Sequence, residues 1–539
     1  MKRLVSRFMV VLMAMTMILS MSMTAFAAED VTRLTGTGKL TVNNTVAGKT
    51  LDLYQIFTAT KSGDNVAYTL NSAYEGFFKN NTRISGSESL KGEALSEAAY
   101  NYVKDQVGKD GSNGAAFAKD ILDWILKNKT IVDATHTTAP TTAGTTVINK
   151  LDYGYYVVYP VGATDTSTAP GEQGYTSVAS LVSVTGDTSI NMKSNYPTVV
   201  KKVNDNKNAD DVNIGDTVTY TLTSKVPDMT GYDSYVFNFK DTLSAGLTFK
   251  EITSVTVGKT TITKVDAGQE ANNTYTLTQD GQNITITMNN FLDSNKNNTG
   301  KEIEVTYTAT LNKDAVTGFN PNTNKATVEY SNKPGTDDKG ESEPSIVDVH
   351  TFNFTIFKYY LKGETQTGLA NAEFELYKAN GEVAGDKVNI KKVTDGEYRV
   401  ATPEEATAEG FKSDVIVSGN NGKVLVKGLD AGTYYLRETK APDGYNKLLS
   451  DIKVEIKATY GEDGKLVSYK VDYTYNGTTT TGTEIKDTTT SPEVAVENKT
   501  GAQLPSTGSK GALMVTLAGI VLFGVLTASK AFGKKKAKN

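Results

Sequence analysis

From about residue 29 to residue 499 the chain consists of short runs in which apolar or aromatic residues alternate with Thr, Asn and Ser. Thr217-Val218-Thr219-Tyr220-Thr221-Leu222, Asn283-Ile284-Thr285-Ile286-Thr287-Met288 and Glu304-Val305-Thr306-Tyr307 are examples, and Gly, Asn and Asp punctuate them. A period of two puts every second side chain on one face. Such runs predict antiparallel strands of Ig-like β-sandwich domains, each burying one face. One region breaks the rule. Between Ser87 and Lys127 the residues Ala94, Leu95, Ala98, Ala99, Tyr102 and Val103, then Phe117, Ile121, Leu122, Trp124 and Ile125, recur at helical spacing. They predict amphipathic helices inserted into the first domain of a mainly β chain. The 28 tyrosines suit half-buried sandwich faces.

The two ends differ in kind from this middle. Lys2, Arg3 and Arg7, an apolar stretch from Phe8 to Leu19, and Ala25-Phe26-Ala27 have the make-up of a secretory signal peptide over residues 1–27. At the far end Leu504-Pro505-Ser506-Thr507-Gly508 precedes an apolar run from about Gly511 to Ala528, then Lys530, Lys534, Lys535, Lys536 and Lys538. That run is long enough to cross a bilayer, and the lysines would hold its end on the cytoplasmic side. The pentapeptide is then left outside. Its proline favours an extended shape that fits a protease groove, where a thiol enzyme could attack the Thr507 carbonyl, release Gly508 onward and pass the acyl group to an amine. The five residues resemble the LPXTG signal of sortase substrates at every fixed position. The resemblance implies a Gram-positive surface protein with a sortase and peptidoglycan as partners, and makes Thr507 an acyl donor.

An exported chain of 539 residues would often carry disulfides, yet this one has no cysteine. Any staple must be another bond. With two histidines and no cysteine there is little for a His/Cys metal site or a thiol nucleophile, and no metal or cofactor is expected. A net charge of −5 gives no reason to expect a nucleic-acid partner. Composition shifts divide the chain into residues 28–193, 194–348 and 349–499, followed by a tether and terminal signal over 500–539. The domains are expected to follow one another as a rod.

Each of the last two domains carries a lysine where an apolar residue belongs. In Phe352-Asn353-Phe354-Thr355-Ile356-Phe357-Lys358 the lysine shares a face with Phe354 and Ile356, and in the last run Asn498 shares a face with Val494 and Val496. Between them lies Glu438, within Tyr434-Tyr435-Leu436-Arg437-Glu438-Thr439-Lys440-Ala441-Pro442-Asp443-Gly444-Tyr445. Desolvation would leave Lys358 a neutral amine and Glu438 a protonated acid. The amine could then attack the Asn498 carboxamide while the acid polarises the carbonyl and moves protons as ammonia leaves. The product is a Lys–Asn isopeptide bond. These residues, ETKAPDGY above all, resemble the Cna B-type domains of Gram-positive adhesins and pilins over about 349–499. That resemblance implies Lys358 joined to Asn498 with Glu438 catalytic.

The middle domain has weaker marks. In Pro197-Thr198-Val199-Val200-Lys201-Lys202-Val203, Lys201 shares a face with Val199 and Val203, and Lys202 points the other way. Lys240-Asp241-Thr242-Leu243 and Asn324-Lys325-Ala326-Thr327-Val328 follow. This part resembles the isopeptide-forming second domain of major pilins, which implies Lys201 joined to Asn324 with Asp241 as the acid; Lys202 is the alternative. Residues 28–193 resemble pilin N-terminal domains, through Gly38-Lys39-Leu40-Thr41-Val42 and Tyr153-Gly154-Tyr155-Tyr156-Val157-Val158, and no staple is expected there. In major pilins the next subunit is joined through a lysine in a VYPK-like motif at the first junction. Lys193, in Ser189-Ile190-Asn191-Met192-Lys193, holds that place without the Tyr-Pro before it, and Lys201, Lys202 or Lys207 are alternatives. Tyr159-Pro160 is followed by Val161 and cannot serve.

Asp293, Asn295, Asn297 and Glu304 loosely fit a calcium loop, but position six is Asn298 and Glu304 falls in an alternating run, so a hairpin turn is expected. Taken together the resemblance is to a sortase-assembled pilus backbone subunit, with neighbouring copies and minor pilins as partners. A wall-anchored adhesin that does not polymerise is the alternative. No nucleophile-elbow or Gly-rich motif points to an enzyme.

Overall fold

The computed structural model describes residues 35–107, 113–164, 178–192, 196–488 and 490–501. They fall into two compact units. One takes the residues through Val316 together with Asn320–His350 and Tyr460–Leu466; the other takes Thr317–Phe319, Thr351–Thr459 and the residues from Val467 on.

In the first unit the N-terminal part has a three-stranded sheet, Gly144–Asp152, Thr37–Thr45 and Thr188–Asn191 in spatial order. A second sheet runs Asn65–Leu70, Leu51–Ser62, Gly154–Pro160 and Ser180–Val184, with His136–Thr137 added to one strand. The helices Gly92–Val107 and Gly114–Lys127 form where the 3.6-residue spacing lay. Phe117, Ala118, Ile121, Leu122, Ile125 and Leu126 make the buried stripe of the second helix. Leu51–Ser62 is buried nearly throughout, not alternately. Its Tyr54, Ile56 and Phe57 join the core beneath the helices, while Leu51 and Leu53 join the core between the two sheets. A strand covered on both faces loses the polar half of its pattern.

Residues 196–350 form a sandwich that keeps the alternation. A five-stranded sheet runs Thr260–Thr261, Leu247–Val257, Glu302–Leu311, Thr217–Lys225, Val200–Val203. The facing sheet is centred on Ser345–His350, Asn322–Ser331, Phe237–Leu243, Asn283–Met288 and Thr274–Asp280. Val218, Tyr220 and Leu222 point into the core, as do Val305 and Tyr307. Residues 289–301 are not a hairpin turn. The strands on either side belong to different sheets, and the crossing between them contains a short helix, Phe291–Asn295, with Phe291 and Asn295 buried. A chain that changes sheets must span the sandwich, which a two-strand turn cannot do.

The second unit is another pair of sheets, of six and seven strands. In the first of these Phe352–Lys362 lies between Lys423–Leu429 and, in parallel, Glu493–Glu497. The opposite sheet contains Glu373–Asn380, Gly432–Lys440 and Ile452–Tyr460. Both units are mainly β. No helix among the described residues is long and apolar enough to cross a membrane.

Candidate functional site

Alternation in Phe352–Lys362 puts Phe352, Phe354, Ile356 and Lys358 on the inward face, every one of them fully buried. Lys358 lies opposite Val496 in the parallel pair, and the Asn498 N–H donates to the Tyr359 carbonyl at 2.9 Å. The Asn498 side chain is thereby drawn to the same interior. Glu438 enters from the opposite sheet, on Gly432–Lys440, where it faces Phe374. Lys358, Glu438 and Asn498 are each no more than 2% exposed.

The three groups converge on one oxygen. Glu438 Oε1 is 3.2 Å from Lys358 Nζ and accepts from Asn498 Nδ2 at 3.2 Å, so the two nitrogens can be no farther apart than twice that distance. Beyond Glu438 the chain turns at Gly444, which has φ +89°, and returns to close the site. The Leu448 N–H donates to Glu438 Oε2 at 2.7 Å, and the Asn446 carbonyl accepts from Asn498 Nδ2 at 3.1 Å. That return is the physical content of the APDGY stretch. Burial pushes the Lys358 amine down to about 8 against the opposing pull of Glu438, so a useful fraction is neutral near pH 7. The Asn498 carbonyl oxygen is buried without a donor. A neutral amine, an acid and a carboxamide short of a donor are the ingredients of amide exchange.

The middle sandwich repeats the arrangement across its two sheets. Lys201, in Val200–Val203, pairs with Leu222 at the edge of one sheet. Asp241 and Asn324 lie on neighbouring strands of the other, where Asp241 faces Ala326 and Leu243 faces Asn324. All three are at most 2% exposed. Lys201 Nζ donates to Asp241 and, at 2.7 Å, to the Tyr307 hydroxyl, and Asn324 Nδ2 donates to that same hydroxyl at 2.7 Å. The Tyr307 hydroxyl donates to Asp241 Oδ2 at 2.9 Å. The amine also lies 4.8 and 4.9 Å from the ring centres of Tyr220 and Tyr307, which are stacked on each other. Burial lowers the Lys201 pKa against the attraction of Asp241. Lys202 points away, half-buried, and donates to Asn208 Oδ1 at 2.6 Å.

Sequence reasoning passed over Tyr307 and Tyr220. The signal was present: both share the inward parity of their strands, and a buried tyrosine hydroxyl calls for a partner. Asn446 and Leu448 act through backbone groups and carry no such mark. Lys193 and the motif Leu504, Pro505, Ser506, Thr507 and Gly508 lie outside the described residues, as do the signal peptide and the apolar run after Gly511. Lys207 is at the surface, paired with Asp210 at 2.9 Å.

Residues 214–334 match the family model for the Gram-positive pilin backbone subunit 2, Cna-B-like domain, and residues 357–472 match that for the SpaA prealbumin-like fold domain. Two separate stretches of the chain are thus similar to these two domain families. Asp241, Tyr307 and Asn324 fall within the first match, and Lys358 and Glu438 within the second; Lys201 and Asn498 lie outside the matched ranges. The chain is similar to the trypsin-resistant surface T6 protein of Streptococcus pyogenes, at 24% identity over 64% of this chain and 62% of that protein. It is also similar to fimbrial subunit type 2 of Actinomyces naeslundii, at 29% identity over 46% and 48%. The chain thus spans about half to three-fifths of the length of these relatives. Among solved structures it resembles the T6 backbone pilin of Streptococcus pyogenes serotype M6, with 19% identity, a TM-score of 0.42, and 83% and 88% of the two chains covered.

Proposed function

We propose that this chain, with stretches similar to a pilin backbone domain and a SpaA prealbumin-like domain, is a structural subunit of a covalent pilus on a Gram-positive cell surface. One observation carries the reading: each of two sandwiches buries a lysine, an acid and an asparagine together, with the lysine near the start of the domain and the asparagine near its end. Few globular interiors gather such groups without a chemical use for them.

In this reading Lys358 is joined to Asn498 and Lys201 to Asn324, with Glu438 and Asp241 as the acids. The amine attacks the side-chain carbonyl carbon, the new C–N bond forms, the bond to Nδ2 breaks, and ammonia leaves. Each reaction happens once, on the chain itself, so the protein is not an enzyme. A sortase cleaves between Thr507 and Gly508 and passes the Thr507 acyl group to Lys193 of the next copy, or finally to peptidoglycan. Homopolymers with minor subunits result.

The test is a blot of wall extracts boiled in SDS, from cells with the native chain and with Lys193→Ala. A ladder of high-mass species that Lys193→Ala abolishes is the expected result. A single band from the native chain would replace the pilus with an anchored adhesin. A ladder that survives the substitution would move the acceptor to another lysine.

A further inference from the structure

The Tyr307 hydroxyl hydrogen-bonds to all three reacting groups of the middle sandwich. It accepts from Lys201 Nζ and from Asn324 Nδ2, each at 2.7 Å, and donates to Asp241 Oδ2 at 2.9 Å. Asp241 and Asn324 make no hydrogen bond to each other, and the hydroxyl bonds to both. Around Lys358 the carboxylate contacts both nitrogens itself. The two sites therefore differ in how a proton could cross from the attacking nitrogen to the departing one.

The geometry points to Tyr307 as a catalytic residue of the Lys201–Asn324 reaction, its hydroxyl passing a proton from the attacking amine to the leaving nitrogen. This rests on the cross-link proposed above. Lys201 first gives its extra proton to the Asp241 carboxylate it touches. As the free amine attacks the Asn324 carbonyl carbon, Nζ must lose one more proton, and Nδ2 must gain one before ammonia can depart. Once Asp241 is protonated it no longer takes the Tyr307 proton, and the hydroxyl turns toward Nδ2, whose lone pair is freed as the carbonyl carbon becomes tetrahedral; the Tyr307 oxygen then takes the Nζ proton as it gives its own to Nδ2, so it ends as it began and no charge leaves the site. Desolvation drives the phenol pKa well above its ordinary value, as this role requires: the hydroxyl stays protonated and acts as a relay, not as a phenolate. Stacking on Tyr220, with ring centres 5.2 Å apart, fixes its direction.

The experiment follows bond formation in the full chain made by cell-free synthesis, with samples digested over time and the Lys201–Asn324 and Lys358–Asn498 peptides quantified by mass spectrometry. Tyr307→Phe keeps the ring and its stacking. It should slow the Lys201–Asn324 link by at least about tenfold while leaving the Lys358–Asn498 link at its normal rate. A Lys201–Asn324 rate within about twofold of the native one overturns the role. If Tyr307→Phe does not fold, 3,5-difluorotyrosine placed at position 307 keeps the shape and acidifies the hydroxyl. A displaced pH–rate profile for this link alone supports the relay, and an unchanged rate and profile overturn it. Asp241→Asn separates the two ideas. If it stops the link while Tyr307→Phe does not, the cross-link stands and the relay falls; if the native chain never forms the link, both fall.

Discussion

Replacing Glu438 by glutamine should remove the Lys358–Asn498 link and return the enclosed chain to the path of an applied force. Glutamine has nearly the same size and keeps an oxygen to accept the Leu448 N–H, which the carboxylate holds at 2.7 Å, while Oε1, the acceptor between Lys358 and Asn498, becomes an NH2 that can neither accept from them nor take a proton. The strand Phe352–Lys362 and the strand Glu493–Glu497 are parallel neighbours, with Ile356 opposite Val494 and Lys358 opposite Val496. Pulling the two ends of the domain apart loads that pair in shear. With the link in place, tension entering at Phe352 crosses from Lys358 to Asn498 and bypasses everything between. Without it, about 140 residues become extensible, a gain of about 45–50 nm at full extension. By analogy with loop closure by a disulfide, the same loss should cost about 5 kcal/mol of stability. For a domain of this size that is about 10–20 °C in Tm. Single-molecule pulling of the tethered ectodomain, with intact-mass measurement of the same material, reads both effects. The native chain should show no release of that length and a deficit of about 17 Da for this link, one ammonia. Glu438→Gln should show the release and lose the deficit. A variant that kept the deficit would refute the assignment of the acid, and a native chain that lengthened by the full amount would refute the link.

Two further outcomes follow from the same site. In an unlinked Asn498→Ala chain the unfolded state keeps the lysine proton up to the ordinary value of 10.5 while the folded state releases it from about 8, so the unfolded state binds more protons in that window. Stability should therefore rise from pH 8 to pH 10.5 by up to about 3 kcal/mol in urea melts, and a fall over that range would reverse the sign. Gly422 has φ +77°, its carbonyl accepts from the Lys358 N–H at 2.8 Å, and a Cβ there would lie 2.2 Å from the Lys358 carbonyl oxygen. Gly422→Ala should cost about 2–3 kcal/mol and slow the link, by calorimetry and mass; a native Tm and rate would show that the strand can give.

What could be read in the sequence was parity, and what could not was partnership. A lysine at an apolar position of an alternating strand is visible from neighbours two residues away, which is how Lys358 is distinguished from Phe357 and Lys201 from Lys202. Tyr307 has the same parity as Val305, yet its role depends on Lys201, Asp241 and Asn324 arriving from three other strands across two sheets. Register and sheet membership decide that, and both are set by connections whose residues say little. The crossing at 289–301 shows the difficulty: its polar composition reads as a tight turn, while the strands it joins lie in different sheets. Leu51–Ser62 fails in the opposite sense, because helices cover its second face and erase the alternation on which parity rests. Asn446 and Leu448 are further out of reach, since a backbone N–H or carbonyl is the same in every residue and it is the turn at Gly444 that brings Leu448 to Glu438 and Asn446 to Asn498. Desolvation is a local property that a strand's own pattern records, whereas the groups that share a buried proton are chosen by the whole sandwich. A residue such as Tyr307, whose chemistry lies wholly in its partners, becomes legible only once the two sheets are closed on each other.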